Sequence, residues 1–275
     1  MTDPSRSLVP DDEDRPADVD ISVAHPARVY DFWLGGKDHF AADREAGEQA
    51  LEAYPDLVIA VRANRAFLGR TVRYLAGESG IRQFLDIGTG IPAANNTHEV
   101  AQSVAADSRI VYADNDQMVL AHARALLRGK PEGATAYLEA DLRDVRKILD
   151  SAARVLDFGQ PVAVMLAAVL QYIPDDDDPY RIVSELLAAV PEGSHLVISH
   201  PASDINTEQV AESMQRYNER AVGQATPRAH ADVARFFAGL ELLSPGLVPI
   251  PDWRPDAPAA GVASIAMWGG VGRKR

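Results

Sequence analysis

The sequence contains no cysteine. Disulfide bonds, zinc sites with thiolate ligands and cysteine nucleophiles are therefore excluded. Long hydrophobic runs are also missing, because the longest one, residues 162–173, is too short to span a bilayer. The beginning of the chain lacks the basic and then apolar pattern of a secretory signal. These absences predict a soluble, cytoplasmic protein with no membrane partner.

Basic residues are scarce relative to acidic ones. The chain has 27 lysines and arginines against 40 aspartates and glutamates, which gives a formal net charge of −13. Such a surface repels phosphate backbones, so binding to nucleic acid would need a local basic patch. The terminal "GRKR" is short and is typical of a solvated end. We therefore predict no nucleic-acid partner, while the oligomeric state stays open.

The length and composition are sufficient for a large core. With 275 residues, of which 47% are hydrophobic, the chain fits one large α/β domain or one domain with an appended lobe. Residues 1–20 are acidic and rich in proline, which predicts a disordered N-terminus. Residues 21–80 have helical spacing and predict an N-terminal cap or lid, and residues 81–275 form the predicted α/β domain.

From residue 80 onward, strand patterns alternate with helix patterns. The alternation predicts a mostly parallel sheet with helices on both faces. Two further strands near the C-terminus, in "LELLSPGLVPI" and "GVASIAMWG", are predicted to add an edge and to bring the total to seven. The five predicted parallel strands lie in "IRQFLDIG", "RIVYAD", "ATAYLEAD", "PVAVMLAAV" and "SHLVISH".

The stretch "FLDIGTGIP" ends the first of these strands with an acid and two glycines, Asp86, Gly88 and Gly90. In an open α/β sheet, ligands bind beyond the carboxyl ends of the strands. Glycines allow a sharp turn and a close approach of the backbone to a ligand. Because short glycine turns are common between strands and helices, this loop alone does not identify a ligand.

Two more acids reach the same edge of the predicted sheet. Asp114 ends the second strand, at roughly the 20-residue spacing from the glycines that is expected of an acid holding ribose hydroxyls. Asp141 follows the third strand. Any one of these acids could be a helix cap, but together they predict a bound nucleoside.

A dinucleotide is one candidate, since Gly88, Gly90 and Ala93 satisfy G-x-G-x-x-A loosely. Against it, Asp86 would lie near a pyrophosphate, and Pro92 lengthens the loop before the next helix. S-adenosylmethionine has no phosphate and carries an ammonium and a sulfonium, which acidic groups tolerate. The residues therefore favour S-adenosylmethionine and leave an NAD-dependent oxidoreductase as the alternative.

The order of D-x-G-x-G, an acid after strand two and "AD" after strand three resembles a class I S-adenosylmethionine-dependent methyltransferase. Longer segments resemble an actinobacterial S-adenosyl methyltransferase family long described as a domain of unknown function. These segments are "RVYDFWLGGKDHFAADRE", "NRAFLGRTVRYLA", "IRQFLDIGTGIP", "THEVAQ", "YLEADLRD" and "LVISHPASD". The resemblance implies a Rossmann-like sheet, S-adenosyl-L-methionine as cofactor, S-adenosyl-L-homocysteine as product and an unidentified, small-molecule acceptor.

The resemblance also implies roles for particular residues. Asp86 would lie near the methionine ammonium, Asp114 would accept from both ribose hydroxyls, and Asp141 would accept from the adenine amino group. Strand four begins Pro161-Val162 and lacks the acid that many class members have there. The cofactor-binding set implied is Asp86, Gly88, Gly90, Asp114, Asn115, Asp141, Leu142 and Ala167.

The segment "YDFWLGGKDHF" precedes the sheet and is interpreted as a lid over the cofactor and acceptor. Its glycines would act as a hinge; a helix end capped by Gly35 is the structural alternative. Asn64 falls within the apolar stripe of a long helix and needs either a hydrogen-bonding partner or a ligand. The lid and substrate candidates are Tyr30, Lys37, Asp38, Asn64, Arg65, Tyr172 and His200.

Methyl transfer needs a general base only if the acceptor must first lose a proton. Tyr172, His200 and His98 are candidates, and the sequence selects none of them. No metal site is predicted. A non-catalytic module that binds S-adenosylmethionine for regulation is a further alternative, because the sequence shows no recognisable acceptor site.

Overall fold

The computed structural model describes residues 20–119, 121, 132–256 and 265–275. The predicted disordered N-terminus lies outside these residues except for Asp20, and most of the helix predicted in "QMVLAHARALL" also lies outside them. No helix of the described part has the length and apolarity needed to cross a membrane.

The centre of the fold is a parallel sheet, as predicted. Its five strands run in the spatial order β3-β2-β1-β4-β5, and every neighbouring pair is parallel. All five residues of β1 are buried, as expected for a strand that is covered on both faces. The strands are β1 (Gln83–Ile87), β2 (Arg109–Asp114), β3 (Ala134–Glu139), β4 (Ala163–Ala167) and β5 (His195–Pro201).

An antiparallel edge completes the sheet. Strand β8 (Met267–Arg273) pairs with β5, and two-residue strands β6 (Glu241–Leu242) and β7 (Val248–Pro249) both pair with β8. The described sheet therefore has eight strands where the sequence predicts seven. The difference arises because the predicted strand "LELLSPGLVPI" is interrupted at its Ser-Pro-Gly turn, where Gly246 has a φ of 98°.

Helices cover both faces, and alternate residues of each strand point to opposite sides. On one face, α3 (Leu57–Gly77) and α4 (Thr97–Val104) pack against a cluster that includes Phe84 and Ile110. On the other, α5 (Val145–Ala152), α6 (Pro179–Ala188) and α8 (His230–Arg235) pack against Leu85 and Val111. This layered core holds the carboxyl ends of the strands in fixed positions.

The N-terminal helices α1 (Pro26–Leu34) and α2 (Ala41–Ala53) form a separate cluster with α7 (Thr207–Asn218). Helix α1 has Pro26 in its first turn and ends at Gly35, whose φ is 80°. The buried Arg28 guanidinium donates from Nε to both carboxylate oxygens of Asp43, at 3.0 Å each. This ion pair fixes α1 to α2. Helix α3, which the sequence placed in the predicted cap, packs against the sheet. The predicted domain boundary at residue 80 stays a prediction.

Candidate active site

A cavity of about 270 Å³ opens at the carboxyl ends of β1 to β4, beneath the start of α1. All eight residues implied as cofactor-binding line it, together with four of the lid and substrate candidates. The first group is Asp86, Gly88, Gly90, Asp114, Asn115, Asp141, Leu142 and Ala167, and the second is Tyr30, Asn64, Arg65 and Tyr172.

The two glycines of the loop after β1 are suited to their positions for different structural reasons. Both have left-handed backbones, with φ of 73° at Gly88 and 67° at Gly90. A Cβ on Gly88 would lie 2.2 Å from a methyl carbon of Val169, whereas a Cβ on Gly90 would meet no atom within 4 Å. Gly88 thus permits close packing of the loop on the β4 side, and Gly90 leaves open space for a ligand.

The loop between Gly90 and α4 is long, and some of its polar groups form hydrogen bonds within the loop and with the start of α4. Asn96 and Glu99 form a reciprocal capping box at the start of α4, with the Asn96 amide 2.8 Å from the Glu99 carboxylate. Because these interactions occupy the helix end, it offers fewer free amides to a phosphate than a dinucleotide-binding loop does. The geometry agrees with a ligand that carries no pyrophosphate.

Asp86 is the most deeply placed acid of the site. Its side chain is buried and accepts a hydrogen bond of 2.6 Å from the Thr97 hydroxyl. Burial raises the pKa of Asp86 to about 6, although the Thr97 hydrogen bond and the Arg65 charge oppose this increase. The carboxyl therefore titrates near neutral pH, and a cation bound next to it would favour its charged form.

Asp114 organises the loop from the end of β2. Its two carboxylate oxygens accept from the backbone amides of Gly90, at 2.9 Å, and Asp116, at 3.0 Å. Burial raises its pKa, and these two amides oppose the shift. Each carboxylate oxygen has a further lone pair, so Asp114 can still accept from a ligand.

Asp141 belongs to a more exposed network. It accepts from the Arg143 backbone amide at 2.8 Å and from the Asn115 side-chain amide at 3.3 Å. Burial by itself would raise the pKa of Asp141, but the Arg143 amide and guanidinium outweigh it and lower the pKa. Arg143 also lines the cavity and pairs with Asp177 at 2.6 Å. Arg143 is not among the residues predicted from the sequence, although it directly follows Asp141-Leu142.

The cap contributes residues from the start of α1. The His25 imidazole Nδ1 lies 2.9 Å from a carboxylate oxygen of Asp116, which connects the cap to the loop after β2. The backbone amide of Val222 donates to the carbonyl of Ala24 at 2.8 Å, and Val222 also lines the cavity. His25 and Val222 are not among the site residues predicted from the sequence. The only local signal at these positions is Pro26 after His25, which predicts the start of a helix and carries no information about a ligand.

Asn64 has the hydrogen-bonding partners that its buried position requires, and because it also lines the cavity, a contact with a ligand stays a prediction. Its carbonyl oxygen accepts from the Ser199 hydroxyl at 2.6 Å, and its amide donates to the Tyr30 hydroxyl at 2.9 Å. Burial raises the pKa of Tyr30 to about 12. Tyr30 therefore stays protonated at neutral pH and presents a fixed hydroxyl at the cavity.

The backbone after β4 is strained where it meets the cavity. Ala168 has a φ of 52°, which is unusual for a residue with a Cβ. Its amide donates to the Ser199 carbonyl at 3.0 Å, and its own carbonyl accepts from the Gln171 side chain at 2.7 Å. Such strain is common at functional sites, where surrounding contacts hold it. Tyr172 lies on the same wall, and its burial raises its pKa.

Three lid and substrate candidates do not reach the described lining of the cavity: Lys37, Asp38 and His200. Gly35 ends α1 with a left-handed turn, and the Asp38 amide then donates to the Asp31 carboxylate at 2.8 Å, so the tip folds back on its own helix. Gly35 therefore caps the C-terminal end of α1, as in the structural alternative to a hinge.

His200 is a buried structural residue. Its ring nitrogens lie 2.9 Å from the Pro201 carbonyl and 3.0 Å from the Arg228 guanidinium. Burial lowers the pKa of His200 to about 3. His98 also has protein partners, because its ring and its backbone amide both contact the Tyr112 hydroxyl. Neither histidine lines the cavity.

The described residues contain no cluster of three or more histidines and acids that could hold a metal ion.

Comparison with known proteins identifies similar chains. A family model described as S-adenosyl methyltransferase matches residues 12–275. A DUF574 family protein from Streptomyces avermitilis is 45% identical, with 93% of this chain and 99% of the other covered and a TM-score of 0.90. A proposed methyltransferase from Thermobifida fusca is 40% identical, with 93% and 97% covered and a TM-score of 0.88.

A more distant crystal structure shares the fold alone. Magnesium protoporphyrin IX methyltransferase from Synechocystis, solved with bound S-adenosylhomocysteine, is 12% identical, with 90% of this chain and 93% of the other covered and a TM-score of 0.52. Among curated proteins, none matches the chain.

Proposed function

The chain belongs to the S-adenosyl methyltransferase family, and from this premise we propose that it methylates a small-molecule acceptor in the cavity beneath α1. Membership of the family makes S-adenosyl-L-methionine the cofactor and leaves the acceptor unidentified. The observation that carries the proposal is that Asp86, Asp114 and Asp141 line one cavity, which also has open space at Gly90.

We propose a role for each acid along this wall. Asp86 would hold the methionine ammonium, Asp114 the ribose hydroxyls, and Asp141, with the Leu142 amide, the adenine ring. Gly88, Gly90 and Ala167 would form the surface beneath the ligand. The fit is supported by the open Gly90 position and by the spare acceptor capacity of Asp114.

The bound cofactor supplies a methyl carbon that its sulfonium already activates. The chain's own residues would then align the acceptor and exclude water. The wall formed by Tyr30, Asn64, Ala168, Tyr172 and Val222 mixes apolar surface with fixed neutral hydrogen-bonding groups. That composition suits an uncharged or weakly polar small molecule.

The N-terminal helices would act as the cap of this site. The start of α1 lines the cavity through His25, Ala27 and Tyr30, and the Gly35–Asp38 tip lies outside the lining. We therefore propose that any closure over the ligand involves the first turn of α1.

Isothermal titration with S-adenosylhomocysteine tests the binding site. We expect one site in the wild-type chain and no heat with NAD. Asp114→Ala should weaken binding about tenfold or more, since charge-assisted hydrogen bonds contribute roughly 1.5–3 kcal/mol each. Glu139→Ala is the matched control, because Glu139 is an exposed acid paired in register with Asp114 on β3.

Binding of NAD without S-adenosylhomocysteine would contradict the proposal. Unchanged affinity in folded Asp114→Ala would contradict the ribose assignment alone. Turnover is a separate question: if S-adenosylhomocysteine binds but no candidate acceptor is methylated, the regulatory module becomes the better description.

A further inference from the structure

Arg65 lines the cavity from α3, next to the hydrogen-bonded Asn64. Its Nη2 donates to the carbonyl oxygens of Ala94, at 3.1 Å, and Asn95, at 3.3 Å, and to the Asn96 side chain at 3.3 Å. These contacts attach the guanidinium to the loop that follows Gly90. They also orient the group, so little side-chain entropy remains to be lost when a ligand binds.

Among the described residues, the other N–H donors of Arg65 have no hydrogen-bond partner. Nε is buried and has no hydrogen-bond partner. The guanidinium contacts in the structure all involve Nη2, although the group has five N–H donors. A buried donor without a partner costs free energy, so Arg65 has unused capacity for an acceptor that the chain does not supply.

The other basic side chains that line the cavity, His25 and Arg143, already contact carboxylates. His25 pairs with Asp116 at 2.9 Å, and Arg143 pairs with Asp177 at 2.6 Å and with Asp141 at 3.2 Å. Within residues 20–119, 121, 132–256 and 265–275, Arg65 forms no ion pair with a carboxylate. Arg65 is therefore the cavity-lining cation best placed to bind an anionic group of a ligand.

Asp86 also lines the cavity and accepts from the Thr97 hydroxyl at 2.6 Å, while Arg65 contacts Asn96, so the two side chains contact consecutive residues of one segment. A carboxylate and a guanidinium at one end of a cavity match the two charges of an amino acid zwitterion. We propose that Arg65 binds the carboxylate of the cofactor's methionine moiety while Asp86 holds its ammonium. This inference rests on the proposed function. It gives a binding partner to the carboxylate of the cofactor, for which Asp86, Asp114 and Asp141 provide none.

The test compares two ligands that differ in one group. S-adenosylhomocysteine carries both the ammonium and the carboxylate, and its decarboxylated analogue, S-adenosyl-3-thiopropylamine, keeps only the ammonium. In the wild-type chain, we expect the complete ligand to bind about tenfold or more tightly than the analogue, because a guanidinium–carboxylate contact is a charge-assisted hydrogen bond. In Arg65→Met, this ratio should fall close to one.

The ratio separates ligand binding from a structural role. If Arg65 only anchors residues 94–96, Arg65→Met weakens both ligands equally and the ratio is kept. Arg62→Met is the matched control, since Arg62 is exposed on the same helix, and it should keep the wild-type ratio. Should Arg65→Met fail to fold, Arg65→Lys replaces it and should give an intermediate ratio.

The outcomes are distinct for the two proposals. A wild-type chain that binds neither ligand overturns the proposed function and this inference with it. A wild-type chain that binds both ligands equally, or a folded Arg65 variant that keeps the wild-type ratio, overturns only the role of Arg65. A ratio that is lost in the Arg65 variants and kept in Arg62→Met supports it.

Discussion

At the scale of single residues, the three acids of the site have different surroundings. Asp86 is buried with one hydroxyl partner, which leaves its pKa raised to about 6. Asp141 is more exposed and is surrounded by Arg143 donors, so its pKa is lowered. The same residue type therefore has a carboxyl that titrates near pH 6 at Asp86 and a carboxyl with a lowered pKa at Asp141.

We predict that ligand binding releases a proton from Asp86. The free protein holds this carboxyl about half-protonated at pH 6, and a bound ammonium favours the carboxylate. Affinity for S-adenosylhomocysteine should therefore rise between about pH 5 and pH 7, with release of about half a proton at pH 6. Titrations at pH 6 in buffers of different ionisation enthalpy measure this number directly.

The variant Asp86→Asn is the control for this prediction, because it keeps the shape and removes the titration. Its residual proton release should be close to zero. The same shift has a consequence for the free protein: since the folded pKa lies above the unfolded value, the stabilisation is full below about pH 4 and is lost as the pH rises through 6. Equal proton release in wild type and Asp86→Asn would assign the effect to another group.

At the scale of elements, the position of α1 decides which part of the cap reaches the cavity. Helix α1 presents its first turn there, held by the His25–Asp116 contact and by the hydrogen bond between Val222 and Ala24. Its last turn and the Gly35–Asp38 tip fold back on Asp31. The polar tip "GGKD" therefore does not line the cavity.

We predict that S-adenosylhomocysteine slows amide hydrogen exchange at residues 24–30 and leaves residues 36–40 unchanged. Contacts to the ligand and to the loop after β2 should suppress local opening of the first turn. In His25→Ala, exchange at residues 24–30 should become faster in the free protein because the contact with Asp116 is lost.

His39→Ala is the matched control for this exchange experiment. His39 lies at the tip, where its ring contacts the Gly36 carbonyl at 3.1 Å, and its removal should leave residues 24–30 unaffected. Ligand protection centred on residues 36–40 would show instead that the tip is the closing part, and the placement of the cap would need revision.

At the scale of the whole molecule, charge limits the partners. The net charge of −13 and the acidic groups at the cavity oppose the approach of polyanions. We predict that labelled single-stranded and duplex nucleic acids show no change in fluorescence anisotropy with this protein at low salt, where non-specific binding is strongest. A basic nucleic-acid-binding protein is the positive control, and saturable binding that salt weakens would be the contradicting result.

Much of the fold follows from the sequence because it depends on local pattern. Short apolar runs, each followed by a helical period, determine the strands, and parallel strands place their carboxyl ends on one edge of a sheet. For this reason, Asp86, Asp114 and Asp141 could be assigned to one site, and all three line the cavity. The apolar stripe of α3 in which Asn64 falls is buried at Val61, Leu68, Val72 and Leu75, whereas Leu57 at the start of the helix is half-buried.

Only the tertiary structure decided which polar side chains complete the site. Asn64 is joined to Ser199, 135 positions later in the chain, and His25 meets Asp116. His200 follows a strand as the acids do, yet it is turned toward Arg228 and buried. Such contacts depend on how α1, α3 and the loops after β4 and α7 pack together, and a local period carries no information about distant partners. The sequence by itself therefore determined the sheet edge at which the cavity lies, whereas packing decided which cap residues line that cavity and which donors of Arg65 have no partner among the described residues.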